Sequence, residues 1–162
     1  MTDYVRQKGS AAFGTRLRRL SDRLDRQVQA IYRQHDSTFQ PRWFAVVSVL
    51  REKECLSVGE IASLLGITHA AVSQLRGELI VADILRGSAD PNDARRQMLA
   101  LSPNGKRVVA RLAPLWQAIA VATEALCAEG APGLLAELDA VEAALEREPM
   151  SQRVAKARPA SR

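Results

Sequence analysis

The first part of the chain has a stripe of apolar side chains that recurs every three or four residues. Phe13, Leu17 and Leu20 start the stripe, and three further apolar residues continue it to Ile31. The arginine side chains of this segment lie largely off the stripe, which is typical of an amphipathic helix. The spacing therefore predicts a helix over residues about 11–35 whose apolar face needs a partner.

A second set of apolar stripes lies in the last third of the chain. Ser102 can cap a helix that Pro103 opens, because the first helical turn leaves its N–H groups unbonded and proline has none to lose. Apolar residues at helical spacing follow, and a Gly-Ala-Pro-Gly break at 130–133 divides them. We therefore predict two helices within 103–147. Together with the first helix they form a predicted dimerisation region, and the alternative is a bundle within one subunit.

Residues 57–75 have the pattern of two short helices that cross at a tight turn. Ser57 and Glu60 can form a capping box, in which each side chain accepts from the other residue's backbone N–H. Gly66 supplies the positive φ needed to leave the first helix, and Thr68 can cap the second. The pattern predicts a helix-turn-helix, and a surface helical hairpin without a ligand is the alternative.

Two short apolar runs follow this helix pair. Ile84-Leu85 and Met98-Leu99-Ala100-Leu101 flank a cluster of Gly, Ser, Asp, Pro and Asn, which is turn chemistry. They predict a β-hairpin, or wing, at residues about 87–96 within a winged-helix region of about 41–101. Arg95 and Arg96 lie at its tip, where an arginine can enter a DNA minor groove, and Asp93 can orient a guanidinium. A solvated loop with an ordinary salt bridge is the alternative.

The second helix of the pair, at about 69–80, carries the residues that we expect to contact DNA. If Val72, Leu75 and Leu79 face inward, its outward side is short and mostly uncharged. Glutamine can bond adenine bidentately, alanine can touch a thymine methyl, and glycine permits a close backbone approach. The predicted contacts are Thr68, His69, Ala70, Ser73, Gln74, Arg76 and Gly77, together with the wing residues Arg95 and Arg96.

The chain resembles the MarR family of winged helix-turn-helix transcriptional regulators over roughly residues 10–148. The resemblance rests on the helix pair, on the wing run Asp90-Pro91-Asn92-Asp93-Ala94-Arg95 and on Leu101-Ser102-Pro103-Asn104-Gly105-Lys106. It implies a mainly α fold and a homodimer that binds a pseudo-palindromic operator in double-stranded DNA. It also implies release of the operator on binding small, often aromatic or phenolic, effectors, and thus a ligand-responsive repressor.

Two positions depart from the pattern of that family. The family usually has Gly at the end of the recognition helix and Arg where the first wing strand begins, and Asp83 and Gly87 stand there in this chain. Asp adopts the left-handed conformation less readily than Gly, and the missing Arg removes a phosphate contact or a salt bridge.

Charge is distributed unevenly along the 162 residues. The net charge is +5, yet residues 57–101 hold four basic and five acidic residues. DNA phosphates must then be met by a few placed arginines, helix N-termini and backbone N–H groups. The near-neutral charge of this region leaves one alternative function open, a winged-helix protein-interaction module without specific DNA binding.

The sequence lacks the motifs of the common enzyme classes. It has two histidines and no HExxH pair, nucleophile elbow, Walker loop or GxGxxG cradle, so we expect no catalytic residues, no metal and no cofactor. Cys55 and Cys127 have no metal-ligand spacing, and reduced thiols, a redox switch or a disulfide are all open. No apolar run is long enough to predict a membrane span or a secretion signal, so we expect a cytoplasmic protein.

An effector pocket is a further hypothesis, since aromatic residues cluster where the dimerisation helices would meet the winged-helix region. Its candidate residues are Tyr32, His35, Trp43, Phe44 and Trp116, and an ordinary core is the alternative. Outside the MarR-like domain, residues 1–9 are predicted to be a flexible N-terminus. Residues 149–162 are predicted to be a disordered basic tail.

Overall fold

The computed structural model describes residues 3–35, 37–90 and 97–158. These residues divide into two compact units, with the boundary between Ala113 and Pro114. The helices are α1 (Tyr4–Gln7), α2 (Phe13–Gln34), α3 (Phe44–Lys53), α4 (Val58–Leu65), α5 (His69–Val81), α6 (Pro103–Gly130), α7 (Leu134–Arg147) and α8 (Met150–Ala157), the strands are β1 (Cys55–Ser57), β2 (Leu85–Ala89) and β3 (Gln97–Leu101), and short 3-10 turns lie at Gly9–Ala12 and Pro41–Trp43.

The predicted helix-turn-helix is formed by α4 and α5. Both hydrogen bonds of the Ser57–Glu60 capping box are present, and Gly66 ends α4 with φ of 62°. Thr68 caps α5, its hydroxyl oxygen accepting from the backbone N–H of Ala71 at 3.2 Å. Ile61, Val72 and Leu79 are fully buried and hold the two helices to the core. The two caps and the left-handed glycine therefore fix the angle at which α5 leaves α4.

Strands β2 and β3 form the predicted hairpin, and β1 extends it into a three-stranded antiparallel sheet in the order β1-β3-β2. Leu99 is the centre of the sheet, opposite Leu56 on one side and Gly87 on the other. Leu99 is fully buried, so the sheet packs one face on the helical core. Strand β1 was not predicted, because a strand of three residues has too few positions for an alternating pattern to show.

A tight corner joins the end of α5 to the start of α6. Asp83 takes φ of 53°, so the position where the family usually has Gly is left-handed here too. The backbone oxygen of Asp83 accepts from the hydroxyl of Ser102 at 2.6 Å, and that hydroxyl oxygen accepts from the N–H of Gly105 at 2.8 Å. A Cβ built on Gly105 would lie 2.0 Å from the carbonyl oxygen of Ile84. Only glycine therefore allows α6 to begin so close to the end of α5.

The N-terminal segment is more ordered than predicted. Residues 1–9 were expected to be flexible, but Tyr4–Gln7 form α1. Asp3 caps this helix through its carboxylate and makes a 2.8 Å ion pair with Arg19 on α2. This contact lowers the pKa of Asp3 to about 2, chiefly through the hydrogen bond that the Arg19 side chain donates. A cap and a partner on α2 outweigh the polar composition from which flexibility was predicted.

The predicted disorder beyond residue 148 is wrong for part of that segment, because Met150–Ala157 form α8. The side chain of Arg153 donates to the backbone oxygens of Ala144 and Glu148, at 2.7 and 2.9 Å, and so bonds carbonyls at the end of α7. Lys156 pairs with the carboxylate of Glu148 at 2.6 Å. Basic side chains of α8 thus stabilise the C-terminal end of α7.

Within the described ranges, no single helix combines the length and apolar composition of a membrane span. Only α6 and α7 taken together, across a sharp bend, meet that criterion.

Candidate nucleic-acid interface

Helix α5 has one buried side and one exposed side, as the sequence predicts. Val72 and Leu79 are 0% exposed, whereas Ala70, Gln74 and Gly77 are exposed. A Cβ built on Gly77 would meet no atom within 4 Å, so no packing within the described residues requires glycine here. Glycine within a helix costs about 0.5–1 kcal/mol relative to alanine. A side chain at this position would therefore project from the exposed side of α5 without a clash.

The N-terminal turn of α5 exposes hydrogen-bonding groups. Thr68 and His69 are exposed, and the imidazole Nδ1 of His69 lies 3.5 Å from the hydroxyl of the half-buried Ser73. Thr68 uses its oxygen as the cap acceptor, which leaves its O–H able to donate outward. The first N–H groups of a helix lack partners within it, so this end attracts anions.

Arg76 has a different environment from the one we expected. Its side chain is half-buried, and its guanidinium donates to the side-chain oxygen of Gln97 at the start of β3. The Nε atom is buried without a hydrogen-bond partner in the described part of the chain. In this structure the Arg76 side chain therefore connects α5 to β3.

Glu78 is a residue of this site that the sequence analysis missed. Its Oε2 accepts from the indole N–H of Trp43 at 2.8 Å and pairs with Arg42 at 3.0 Å. The pKa of Glu78 is lowered, first by the Trp43 hydrogen bond and then by the charge of Arg42 and a side-chain hydrogen bond from Gln74. The i,i+4 spacing of Gln74 and Glu78 was the only signal in the sequence.

The predicted wing tip lies outside the described residues. Asp93, Arg95 and Arg96 all fall between the end of β2 and the start of β3. Gly87, the second departure from the family pattern, pairs with Leu99 inside the wing. Its neighbour Arg86 is exposed on β2.

A cleft of about 390 Å³ lies beside Trp43. The rings of Tyr32, Phe39 and Trp43 pack edge to face at this cleft, with centroids 5.4 Å apart for Tyr32 and Phe39 and 5.6 Å apart for Phe39 and Trp43. The lining residues are Ser37, Thr38, Phe39, Trp43, Ala82, Ile84, Asn104, Arg107, Val108 and Arg111. Aromatic surface and two guanidinium groups therefore meet in one cleft.

The five predicted pocket residues take different positions. Trp43 lines the cleft, and Tyr32 is buried behind it, in contact with Phe39. His35 and Phe44 are exposed side chains that do not line it, and Trp116 is a buried residue of the second unit. The sequence prediction missed Arg107 and Arg111, which supply the charge at this cleft.

The remaining candidates for chemistry are the two cysteines and the side chains that could bind a metal ion. Cys55 is an exposed thiol and Cys127 a half-buried one, and neither forms a disulfide. Among residues 3–35, 37–90 and 97–158, no group of His, Cys, Asp and Glu side chains has the arrangement of a metal site.

The crossed helices, the Gly66 turn and the sheet that ends in a hairpin define a winged helix-turn-helix protein. Residues 37–96 match the sequence model of the MarR family. Over this segment the chain is similar to the MarR family of transcriptional regulators, and the solved structures described below show that it shares their fold.

Several solved structures share the fold. A MarR variant from E. coli complexed with operator DNA is 15% identical, with a TM-score of 0.65 over 89% of this chain and 99% of that one. The M. tuberculosis regulator MOSR in complex with DNA is 17% identical, with a TM-score of 0.68 over 84% of this chain and 97% of that one.

BpsR of Bordetella bronchiseptica, whose DNA binding is regulated by 6-hydroxynicotinic acid, is 25% identical. Its TM-score is 0.57, over 84% of this chain and 92% of that one. No curated protein sequence matches the chain significantly.

Proposed function

We propose that the chain is a sequence-specific regulator of transcription that binds double-stranded DNA as a homodimer. The observation that carries this proposal is the exposed side of α5, where Ala70, Gln74 and Gly77 face outward on a helix that Thr68 caps. A helix presented in this way fits the major groove of B-DNA, with its N-terminal residues nearest the bases. The DNA complexes of MarR and MOSR, which share this fold, support DNA as the ligand.

In the proposed complex, α5 reads bases and its N-terminal turn meets phosphate. Gln74 bonds a base edge, Ala70 contacts a thymine methyl, and Gly77 lets the backbone approach the DNA closely. Thr68, His69 and Ser73 donate to phosphate or base atoms. The wing residues Arg95 and Arg96 bind the minor groove with Asp93 as an orienting partner, and Arg76 supports the wing from α5.

Large apolar side chains on the flanking helices support the homodimer. Phe13 is 48% exposed, Leu17 41% and Leu20 50%, all on α2. In the second unit, Leu135, Val141 and Leu145 of α7 are also exposed. Stripes of this kind are typical of surfaces that a second subunit covers.

The cleft beside Trp43 is the proposed effector site. An aromatic ring can pack on Trp43 and Phe39, while Arg107 and Arg111 bind a carboxylate or phenolate. The regulation of BpsR by 6-hydroxynicotinic acid, an aromatic acid, supports this ligand class. Titration of the Trp116→Phe variant with 6-hydroxynicotinic acid should change the fluorescence of Trp43, and Arg107→Gln with Arg111→Gln should abolish the change.

The proposed role is regulatory, with no catalytic step, and repression is the sign of regulation that we propose. A DNA-binding role requires the compartment that holds the DNA, which for this chain we propose is the cytoplasm.

Selection of binding sites from a random DNA pool, followed by a salt titration on random duplex, tests the main proposal. A regulator should enrich a pseudo-palindromic site and lose affinity linearly on a log–log plot against salt. The near-neutral charge of residues 57–101 favours a second candidate, a protein-interaction module. That candidate predicts no enriched site and no salt slope.

A further inference from the structure

We propose that the chain has a second ligand site, separate from the cleft beside Trp43, which binds a small anion with an apolar body. The charged group of this ligand is a carboxylate or a phosphate. The site, the sheet cleft, is a cavity of about 690 Å³ between the three-stranded sheet, the end of α3 and the first turns of α6. All of its lining residues lie in the first compact unit.

One wall of the sheet cleft is the face of the sheet that turns away from the helical core. Cys55, Ala100 and Arg86 form a row across β1, β3 and β2, since Ala100 pairs with both of the others. Side chains alternate between the two faces along a strand, and the neighbouring residue of β3, Leu99, is buried in the core. The row therefore faces outward, and all three of its residues line the cleft.

Helix α6 forms a second wall and separates the two clefts. Lys106, Ala110 and Ala113 recur every three or four residues and line the sheet cleft. Arg107 and Arg111 line the cleft beside Trp43 and, at about 100° per residue, lie on the other side of the helix. The two clefts share no lining residue in the described part of the chain, so a ligand in one leaves the other open.

The inner surface of the sheet cleft is apolar. Leu50, Leu101 and Val109 line it, and none of them is more than 6% exposed. Ala100 and Ala110 are small, so the space beside them stays unfilled. The volume of the cleft is within the range of about 300–1,000 Å³ that is typical of small-molecule sites. The ligand therefore has an apolar body, whose burial stabilises the complex, and is not a bare inorganic ion.

Arg51, Arg86 and Lys106 bring positive charge to the sheet cleft. All three are exposed lining residues, and none of them forms an ion pair within the described ranges. Glu54 is the one acidic residue among the lining residues that the structure describes, so positive charge is in excess. Guanidinium groups bind carboxylates and phosphates through paired hydrogen bonds, and an ammonium binds them as a point charge. These three side chains therefore select an anion.

Cys55 provides a direct measure of occupancy, because it is an exposed thiol that lines the sheet cleft. In a Cys127→Ser variant of the full chain it is the single remaining thiol. The rate at which iodoacetamide, an uncharged reagent, alkylates it is measured with octanoate, octyl phosphate or the neutral octanamide present. Both anions should slow alkylation in a saturable way, and octanamide should leave the rate unchanged.

Charge variants test which side chains hold the ligand, with the Kd of octyl phosphate taken from the protection of Cys55. Arg51→Gln should raise this Kd about tenfold or more, because a charge-assisted hydrogen bond is lost. Lys53→Gln is the matched control, since it removes the same charge from the same helix. Lys53 is exposed, about 200° around α3 from Arg51, and does not line the cleft, so Kd should stay within about twofold.

Two further variants test the place of binding. Ala110→Leu adds apolar volume without changing charge, at an exposed helical position, and should prevent both anions from protecting Cys55. Arg107→Gln with Arg111→Gln changes the cleft beside Trp43 and should leave this protection unchanged. The opposite result for either variant would place the ligand elsewhere and overturn the inference.

The remaining outcomes also decide the point. Protection by octanamide, or no protection by either anion, overturns the inference. Equal effects of Arg51→Gln and Lys53→Gln overturn it as well, since the charge would then act without contact. If Arg51→Gln lowers the salt slope of binding to random duplex and leaves octyl phosphate binding unchanged, Arg51 belongs to the DNA interface and the inference fails. Ligand binding is measured without DNA, so this site and the proposed function can fail independently.

Discussion

Adding one methyl group at Gly105 should destabilise the protein, although alanine is the better helix former. The Cβ would lie 2.0 Å from the carbonyl oxygen of Ile84 and 2.9 Å from its carbonyl carbon. Both are backbone atoms, so no side chain can rotate away. The two segments must separate by about 1 Å to restore van der Waals contact, which requires the backbone shifts typical of overpacked sites.

The magnitude follows from three effects. Overpacking costs about 1–3 kcal/mol. The displaced Ile84 oxygen also accepts the backbone N–H of Ser102 at 3.0 Å, and loss of that bond costs about 1 kcal/mol. Replacing a helical glycine by alanine returns about 1 kcal/mol. We therefore expect Gly105→Ala to lower the free energy of unfolding by about 2 kcal/mol, and Tm by about 4–8 °C.

Thermal unfolding followed by circular dichroism measures this effect, with Gly59→Ala as the control. A Cβ at Gly59, on α4, meets no atom within 4 Å, so the control should keep or slightly raise Tm. Both variants should be compared with wild type at one protein concentration, because a dimer makes Tm concentration-dependent. A Gly105→Ala variant that melts within 1 °C of wild type would refute the clash argument.

Three further predictions concern other sites. Asp83→Gly should raise Tm by about 1–4 °C, because relief of the left-handed aspartate at φ of 53° outweighs the added chain entropy by about 0.5–1 kcal/mol; an unchanged or lower Tm contradicts this. Arg95→Ala should reduce the salt slope of DNA binding by about one and leave stability within about 0.5 kcal/mol; an unchanged slope would assign the wing contact elsewhere. Because the pKa of Asp3 is about 2, its stabilising ion pair with Arg19 should persist as pH falls through the ordinary aspartate range and be lost only near pH 2. An NMR titration of the Asp3 carboxyl checks this pKa, and Arg19→Gln should raise it.

The helix-turn-helix was predictable because its signals are local. Ser57, Glu60, Gly66 and Thr68 each act on a neighbour within four residues, and the structure confirms each cap and the positive φ. The hairpin strands were predictable for the same reason. Helix α8 was not, since its order depends on contacts of the Arg153 and Lys156 side chains with the end of α7.

The candidate site was only partly predictable. Helical periodicity correctly separated the buried Val72 from the exposed Gln74. Periodicity contains no information on partners from other elements, so the contact of Trp43 with Glu78 could not be foreseen. The same limit explains why Arg107 was missed at the cleft, because it is distant in sequence from the aromatic residues there.

The hydroxyl of Ser102 joins the first turn of α6 to Asp83, which lies just after the end of α5. Helix α5 has 13 residues and is therefore about 20 Å long. A rotation of about 10° about this contact would displace its far end, at Thr68, by about 3 Å, close to the rise of about 3.4 Å per base pair in DNA. A small rotation of α5 about the buried Ser102 contact would therefore move its N-terminal end along the DNA by about one base pair.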